Sequence, residues 1–129
     1  MPRILLVDDD DLLRRMLRLT LEKMGHEIVE ARNGKEAVSL FKQAPPDLVL
    51  LDLIMPEQEG LETIEQLKSL HPGVKIIAMS GGGFARATDY LKIAKLMGAN
   101  HVLSKPFSSE QMARSIEAVL IQPKPSSPA

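Results

Sequence analysis

The sequence predicts an α/β domain: a doubly wound, five-stranded parallel sheet with helices on both faces. Three observations predict it. Short apolar runs alternate with helical patterns five times along 129 residues. The runs, such as "DLVLLDL", are apolar on both faces, as strands covered from two sides must be. Charged or hydroxyl residues collect where the runs end, and that is the edge at which open parallel sheets bind ligands.

The elements follow in order. Residues 4–7 read as a buried strand. Apolar residues then recur at Leu13, Met16, Leu17, Leu21 and Met24 with a helical period that stops at Gly25. Residues 26–31 hold Ile28 and Val29 and read as the second strand. Residues 34–43 carry Ala37, Val38, Leu40 and Phe41 and form a helix ended by Pro45 and Pro46. Residues 47–53 are the third strand. The helix "GLETIEQLKSL" places Leu61, Ile64 and Leu67 on one side and closes at "HPG". "VKIIAMS" is the fourth strand, and "GGG" then breaks the chain. Residues 84–97 read as a helix stopped by Gly98, and "HVLS" is the fifth strand. Ser108 or Ser109 can cap a last helix that runs to about Leu120, with Met112, Ile116, Val119 and Leu120 inward. This gives one domain over residues 1–121 and a Pro/Ser-rich tail, 122–129, expected to be disordered.

Composition narrows the function classes. Net charge is −1, there is no basic stripe, and aromatics are three Phe and one Tyr, so nothing points to nucleic acid. There is no cysteine, which removes disulfides and thiolate metal sites and suits a cytoplasmic setting. No apolar run approaches the ~20 residues of a membrane span. The three histidines read as structural or surface residues, and the methionines, mostly at helix-core periodicity or in the Met55–Pro56 turn, as packing residues.

The strand ends carry the chemistry. Asp8 and Asp9 follow the first strand, Asp52 ends the third, Ser80 and Gly81 follow the fourth, and Lys105 and Pro106 follow the fifth. A parallel sheet brings three carboxylates, a hydroxyl and an ammonium to one edge. Adjacent carboxylates repel, and a hard divalent cation such as Mg2+ offsets that repulsion with oxygen ligands. One carboxylate can then attack phosphorus, with Lys105 as a point charge for a phosphoryl oxygen and Ser80 as a donor. Taken singly, each residue has a plainer reading. Asp10 and Asp11 read as helix-capping residues, Gly81–Gly83 as a turn, and Ser80 and Lys105 as ordinary loop residues. Their order, one set per strand end, favours the chemical reading.

At this point the sequence resembles a response-regulator receiver domain of two-component signalling, with its flavodoxin-like fold. The resemblance covers roughly residues 2–121 and rests on "ILLVDDD", "DLVLLDLIMPEQEG", "IIAMSG" and "GANHVLSKPF". It implies that Asp52 is the phosphoacceptor and that Asp8, Asp9, Asp52 and the backbone carbonyl of Ile54 hold Mg2+. It implies that Ser80 senses the phosphoryl group, that Lys105 contacts it, and that Pro106 follows a cis peptide bond. Met55, Pro56 and Gly60 would shape the loop beside the acceptor. A sensor histidine kinase or phosphotransfer protein would supply the phosphoryl group. A downstream protein, or an output domain absent from this sequence, would read the signal without contact to nucleic acid or membrane. The chain would assist its own phosphorylation and slow dephosphorylation without turning over a substrate.

Two positions depart from the family pattern. Val102 stands where members usually carry an aromatic residue that couples to the hydroxyl, and the segment between Ser80 and Gly98 is longer than usual. Val102 keeps open a phosphorylation-independent binding module on the same scaffold. An aspartyl-phosphate hydrolase of the haloacid-dehalogenase type would use Asp8, Asp10, Ser80 and Lys105. It would also need an acidic pair after the lysine, where only Glu110 and Glu117 stand.

Overall fold

The computed structural model describes residues 2–53, 59–80 and 92–122. Its strands are β1 (Arg3–Val7), β2 (Glu27–Ala31), β3 (Leu48–Asp52), β4 (Ile76–Ser80) and β5 (His101–Ser104). The helices are α1 (Asp11–Lys23), α2 (Gly34–Gln43), α3 (Glu59–Leu70), a helical segment α4 at 92–96, and α5 (Ser109–Ile121). The expected start of the fourth helix, the Gly81–Gly83 turn and the 123–129 tail lie outside the described residues.

All strand pairs are parallel, in the order β2-β1-β3-β4-β5. Alternation along each strand sorts its apolar run between two cores. Leu5, Val7, Val49, Leu51, Ile76 and Ala78 face one side, with Ala37 and Phe41 of α2, Ile64 and Leu67 of α3 and Ala94 of α4. Ile4, Leu6, Leu48, Leu50, Ile77 and Met79 face the other, with Leu17 and Leu21 of α1 and Met112, Ile116 and Val119 of α5. Two cores explain why β1 and β3 carry no polar alternation.

Caps set the helix starts. The Asp10 carboxylate accepts from Leu13 N–H at 3.1 Å. Asn33 accepts from Glu36 N–H at 2.8 Å. Ser108, rather than Ser109, caps α5 in a reciprocal box with Gln111. Asp11 does not cap; it pairs with Arg14 at 2.7 Å.

The second and third strands are slightly shorter than expected, Glu27–Ala31 and Leu48–Asp52, and two further expectations need correction. The buried stripe of α1 is Arg14, Leu17 and Leu21, while Met16 is 56% exposed and Met24 also faces solvent, so neither packs in the core. A charged residue at position 14 hid the true face from a search for apolar period. The fourth strand begins at Ile76, not Val74. Lys75 instead sends its ammonium to the carbonyls of Leu120 and Gln122, at 2.9 and 2.6 Å, and holds the C-terminus of α5.

His26, in the turn before β2, has a buried Nδ1 with no hydrogen-bond partner among the described residues. Burial lowers its pKa below the ordinary 6.5. Burial, helped by Lys95, does the same to His101. The unfolded chain therefore binds protons that the folded chain resists, so stability falls as pH drops below about 6.5. Urea melts from pH 7.5 to 5 test this with His26→Gln. The wild-type midpoint should decline below about 6.5, and the variant should decline less. An identical slope in the variant would acquit His26.

Candidate metal and phosphoryl site

The sheet order builds the site. β1 lies between β2 and β3, with Val7 level with Leu51, so Asp8 and Asp52 leave neighbouring strands at the same edge. Asp52 pairs in register with Met79, and Ser80 with Ser104, which sets Lys105 beside them. Backbone bonds just past the strand ends hold this register. Asp8 N–H donates to Ala31, Leu53 N–H to Met79, and Lys105 N–H to Ser80, at 3.2, 2.8 and 2.8 Å. The Lys105–Pro106 bond is cis, as the resemblance implied.

Oxygens of Asp8, Asp9 and Asp52 lie within 4.8 Å of one another. Asp8 is fully buried, Asp52 is 5% exposed and Asp9 faces solvent. Lys105 Nζ sits 3.3 Å from Asp8 Oδ2 and 3.5 Å from Asp52 Oδ2. Asp10 N–H donates to Asp8 Oδ1 at 2.9 Å. Among the described residues, then, the Lys105 ammonium pairs with two of the three clustered carboxylates. Buried like charge of this kind needs further compensation, and an all-oxygen donor set with one solvent-facing member suits a hard, partly hydrated divalent cation. The cluster can hold a metal ion.

Ser80 is fully buried, and its Oγ has no hydrogen-bond partner among the described residues. An unsatisfied buried hydroxyl costs roughly 1–3 kcal/mol, and a ligand oxygen reaching it would recover that cost. Gly60 opens α3 against the chain leaving β3. A Cβ there would stand 2.6 Å from Leu53 Cα and 2.8 Å from the Asp52 carbonyl oxygen. Val102 is partly buried on the α2–α4 side, in register with Ala78. Ile54 and Gly81 lie outside the described residues. The histidines form no ligand cluster among the described residues.

Arg14 was missed by sequence reasoning. It is buried, bonds the Asp8 carbonyl and pairs with Asp11 and Glu30. Burial alone would lower its pKa, but the bonds to Asp11 and Glu30 outweigh that and raise it. The available signal was an arginine three and seven residues before Leu17 and Leu21, on the face that must be buried.

A family model described as "Response regulator receiver domain" matches residues 4–117. The chain belongs to the response regulator receiver family. Curated relatives agree. The chemotaxis protein CheY of Thermotoga maritima is 35% identical over 119 residues, covering 91% of this chain and 96% of its own. CheY of Halobacterium salinarum is 36% identical, covering 92% and 96%. The response regulator MprA of Mycolicibacterium vanbaalenii is 36% identical over 95% of this chain, which spans 52% of MprA. Among solved structures, the receiver domain of NtrX from Brucella abortus superposes with a TM-score of 0.86 at 27% identity, covering 93% of this chain and 99% of that one. A CheY-like receiver domain protein from Methanospirillum hungatei superposes with a TM-score of 0.81 at 28% identity, covering 93% and 94%. The receiver fold of this chain is therefore shared along nearly its whole length. No described helix is long and apolar enough to cross a membrane.

Proposed function

We propose that this receiver domain accepts a phosphoryl group on Asp52 from a sensor histidine kinase or phosphotransfer protein and signals through altered protein contacts. The observation that carries this reading is the meeting of Asp52 with Asp8, Asp9 and Lys105 at one sheet edge, from segments up to 97 residues apart. The donor set fits Mg2+, which Asp8, Asp9, Asp52 and the Ile54 carbonyl would hold. When bound, Mg2+ supplies positive charge that offsets the carboxylates and the phosphoryl oxygens.

The chain's own residues do the rest. An Asp52 carboxylate oxygen attacks phosphorus, forming an O–P bond. The bond from phosphorus to the donor nitrogen breaks, and its electron pair stays on the donor imidazole. Lys105 shifts from the carboxylates to a phosphoryl oxygen. Ser80 gains an acceptor for its unpaired hydroxyl. The added charge, about −1.5 to −2, biases the segment after β4. Val102 lacks the ring by which members of the family usually read that change, so the readout would run through Ser80 and the segment beyond it. In the haloacid-dehalogenase alternative Glu110 and Glu117 would have to reach the site, but both are exposed along α5.

The test is the intact mass after acetyl phosphate and Mg2+. A gain of one phosphoryl group that needs the metal is expected. Absence of any gain, with Mg2+ bound, would mean strict dependence on a cognate kinase or signalling by contact alone, and a beryllofluoride titration separates the two. Lys105→Ala should keep Mg2+ affinity or raise it, because a competing cation leaves the carboxylates. It should also lower the response to beryllofluoride. An unchanged beryllofluoride response would remove Lys105 from the phosphoryl site.

A further inference from the structure

We infer that Arg14 is a positioning residue for the acidic cluster, holding the Asp8–Asp9 peptide so that both carboxylates face one cation; this rests on the receiver reading above. Arg14 Nη1 donates to the Asp8 carbonyl at 2.7 Å. That carbonyl belongs to the peptide joining two of the three cluster residues, one residue past the end of β1. Nη2 donates to Asp11 at 2.7 Å and Nε to Glu30 at 2.9 Å. All three guanidinium nitrogens are engaged, and the residue is 8% exposed.

A purely structural tie between α1 and β2 does not need this arrangement. Glu30 already has Arg18, whose Nη1 donates to it at 2.6 Å. What Arg14 reaches and Arg18, among the described residues, does not is the Asp8 carbonyl. A planar fork can serve one carbonyl and two carboxylates at once, whereas a lysine ammonium offers one compact charge. Asp11 and Glu30 in turn fix the guanidinium, in the way outer partners fix metal ligands.

The experiment measures Mg2+ binding to the full chain by calorimetric titration with magnesium chloride, and the Mg2+ concentration for half-maximal labelling by acetyl phosphate. Arg14→Gln should raise both values about 10–100-fold, while the labelling rate at saturating Mg2+ stays within about threefold. Arg18→Gln breaks the second Glu30 pair without touching Asp8. It should lower stability and leave both Mg2+ values within about twofold of wild type. If Arg14→Gln does not fold, Arg14→Lys replaces it, with a smaller rise expected. Unmoved Mg2+ values in the Arg14 variant that folds, or an equal rise in Arg18→Gln, would overturn the inference. Wild-type chain that binds Mg2+ but neither gains phosphoryl mass nor responds to beryllofluoride overturns the proposed function, while the binding constants still decide the role of Arg14. Wild-type chain that binds no Mg2+ overturns both.

Discussion

Asp52→Asn should gain no phosphoryl mass under conditions that label the wild-type chain fully, and it should remain folded. The amide keeps the shape of the carboxylate but is not a nucleophile toward phosphorus. Asp52 is nearly buried, next to Asp8 and Asp9. Removing its charge relieves repulsion within the cluster. Lys105 keeps Asp8 as a partner at 3.3 Å, so the ammonium is not stranded. Without divalent cation, the variant should therefore unfold at higher urea than wild type, by on the order of 1 kcal/mol. Added Mg2+ should stabilise it less than wild type, because one ligand is weakened. Full labelling of the variant would move the acceptor elsewhere. Loss of folding would show that the charge at Asp52 is structural.

Gly60→Ala should be destabilising, although alanine is the better helix former. Helix propensity favours alanine by about 1 kcal/mol in a helix interior, and less here, at the second residue of α3. Against this, the new methyl group would stand 2.6, 2.8 and 2.9 Å from Leu53 Cα, the Asp52 carbonyl oxygen and the Leu53 carbonyl oxygen. All three are backbone atoms, so no side chain can swing away. Relief requires α3 to move off the sheet or residues 52–53 to shift. Overpacking of this kind costs typically about 1–3 kcal/mol, which exceeds the propensity gain. The shift would also fall on Asp52, a member of the acidic cluster, so Mg2+ affinity should drop with stability. Urea melts and a magnesium titration check both. A neutral or stabilised variant would mean that α3 seats more loosely than its contact with β3 indicates.

The helices show how far pattern reading reaches. α2, α3 and α5 turn inward the residues their apolar period indicated, because their inward faces are mostly apolar, with Thr63 of α3 the buried polar exception among the described residues. α1 buries Leu17 and Leu21 as indicated but Arg14 rather than Met16 and Met24, because Arg14 gains a carbonyl and two carboxylates that no local pattern reveals. Lys75 tells the same story at the start of β4. Its backbone carbonyl still accepts from Val49 N–H of β3, but its ammonium binds a carbonyl 45 residues away at the end of α5, which no local pattern reveals.

By itself the sequence determined the order of strands and helices, the burial of the sheet on both faces, and the set of polar residues that end the strands. These follow from periodicity and from the chemistry of strand ends, which are local properties. The tertiary structure decided which of those residues meet. The strand order β2-β1-β3-β4-β5 puts Asp8 beside Asp52 and brings Lys105 to both, while the residues after β2 contribute nothing to the cluster. A chain pattern reports the period of a segment but not its neighbour. The neighbour is set by how the helices share two faces of one sheet, and only that sharing places the Lys105 ammonium beside Asp8 and Asp52.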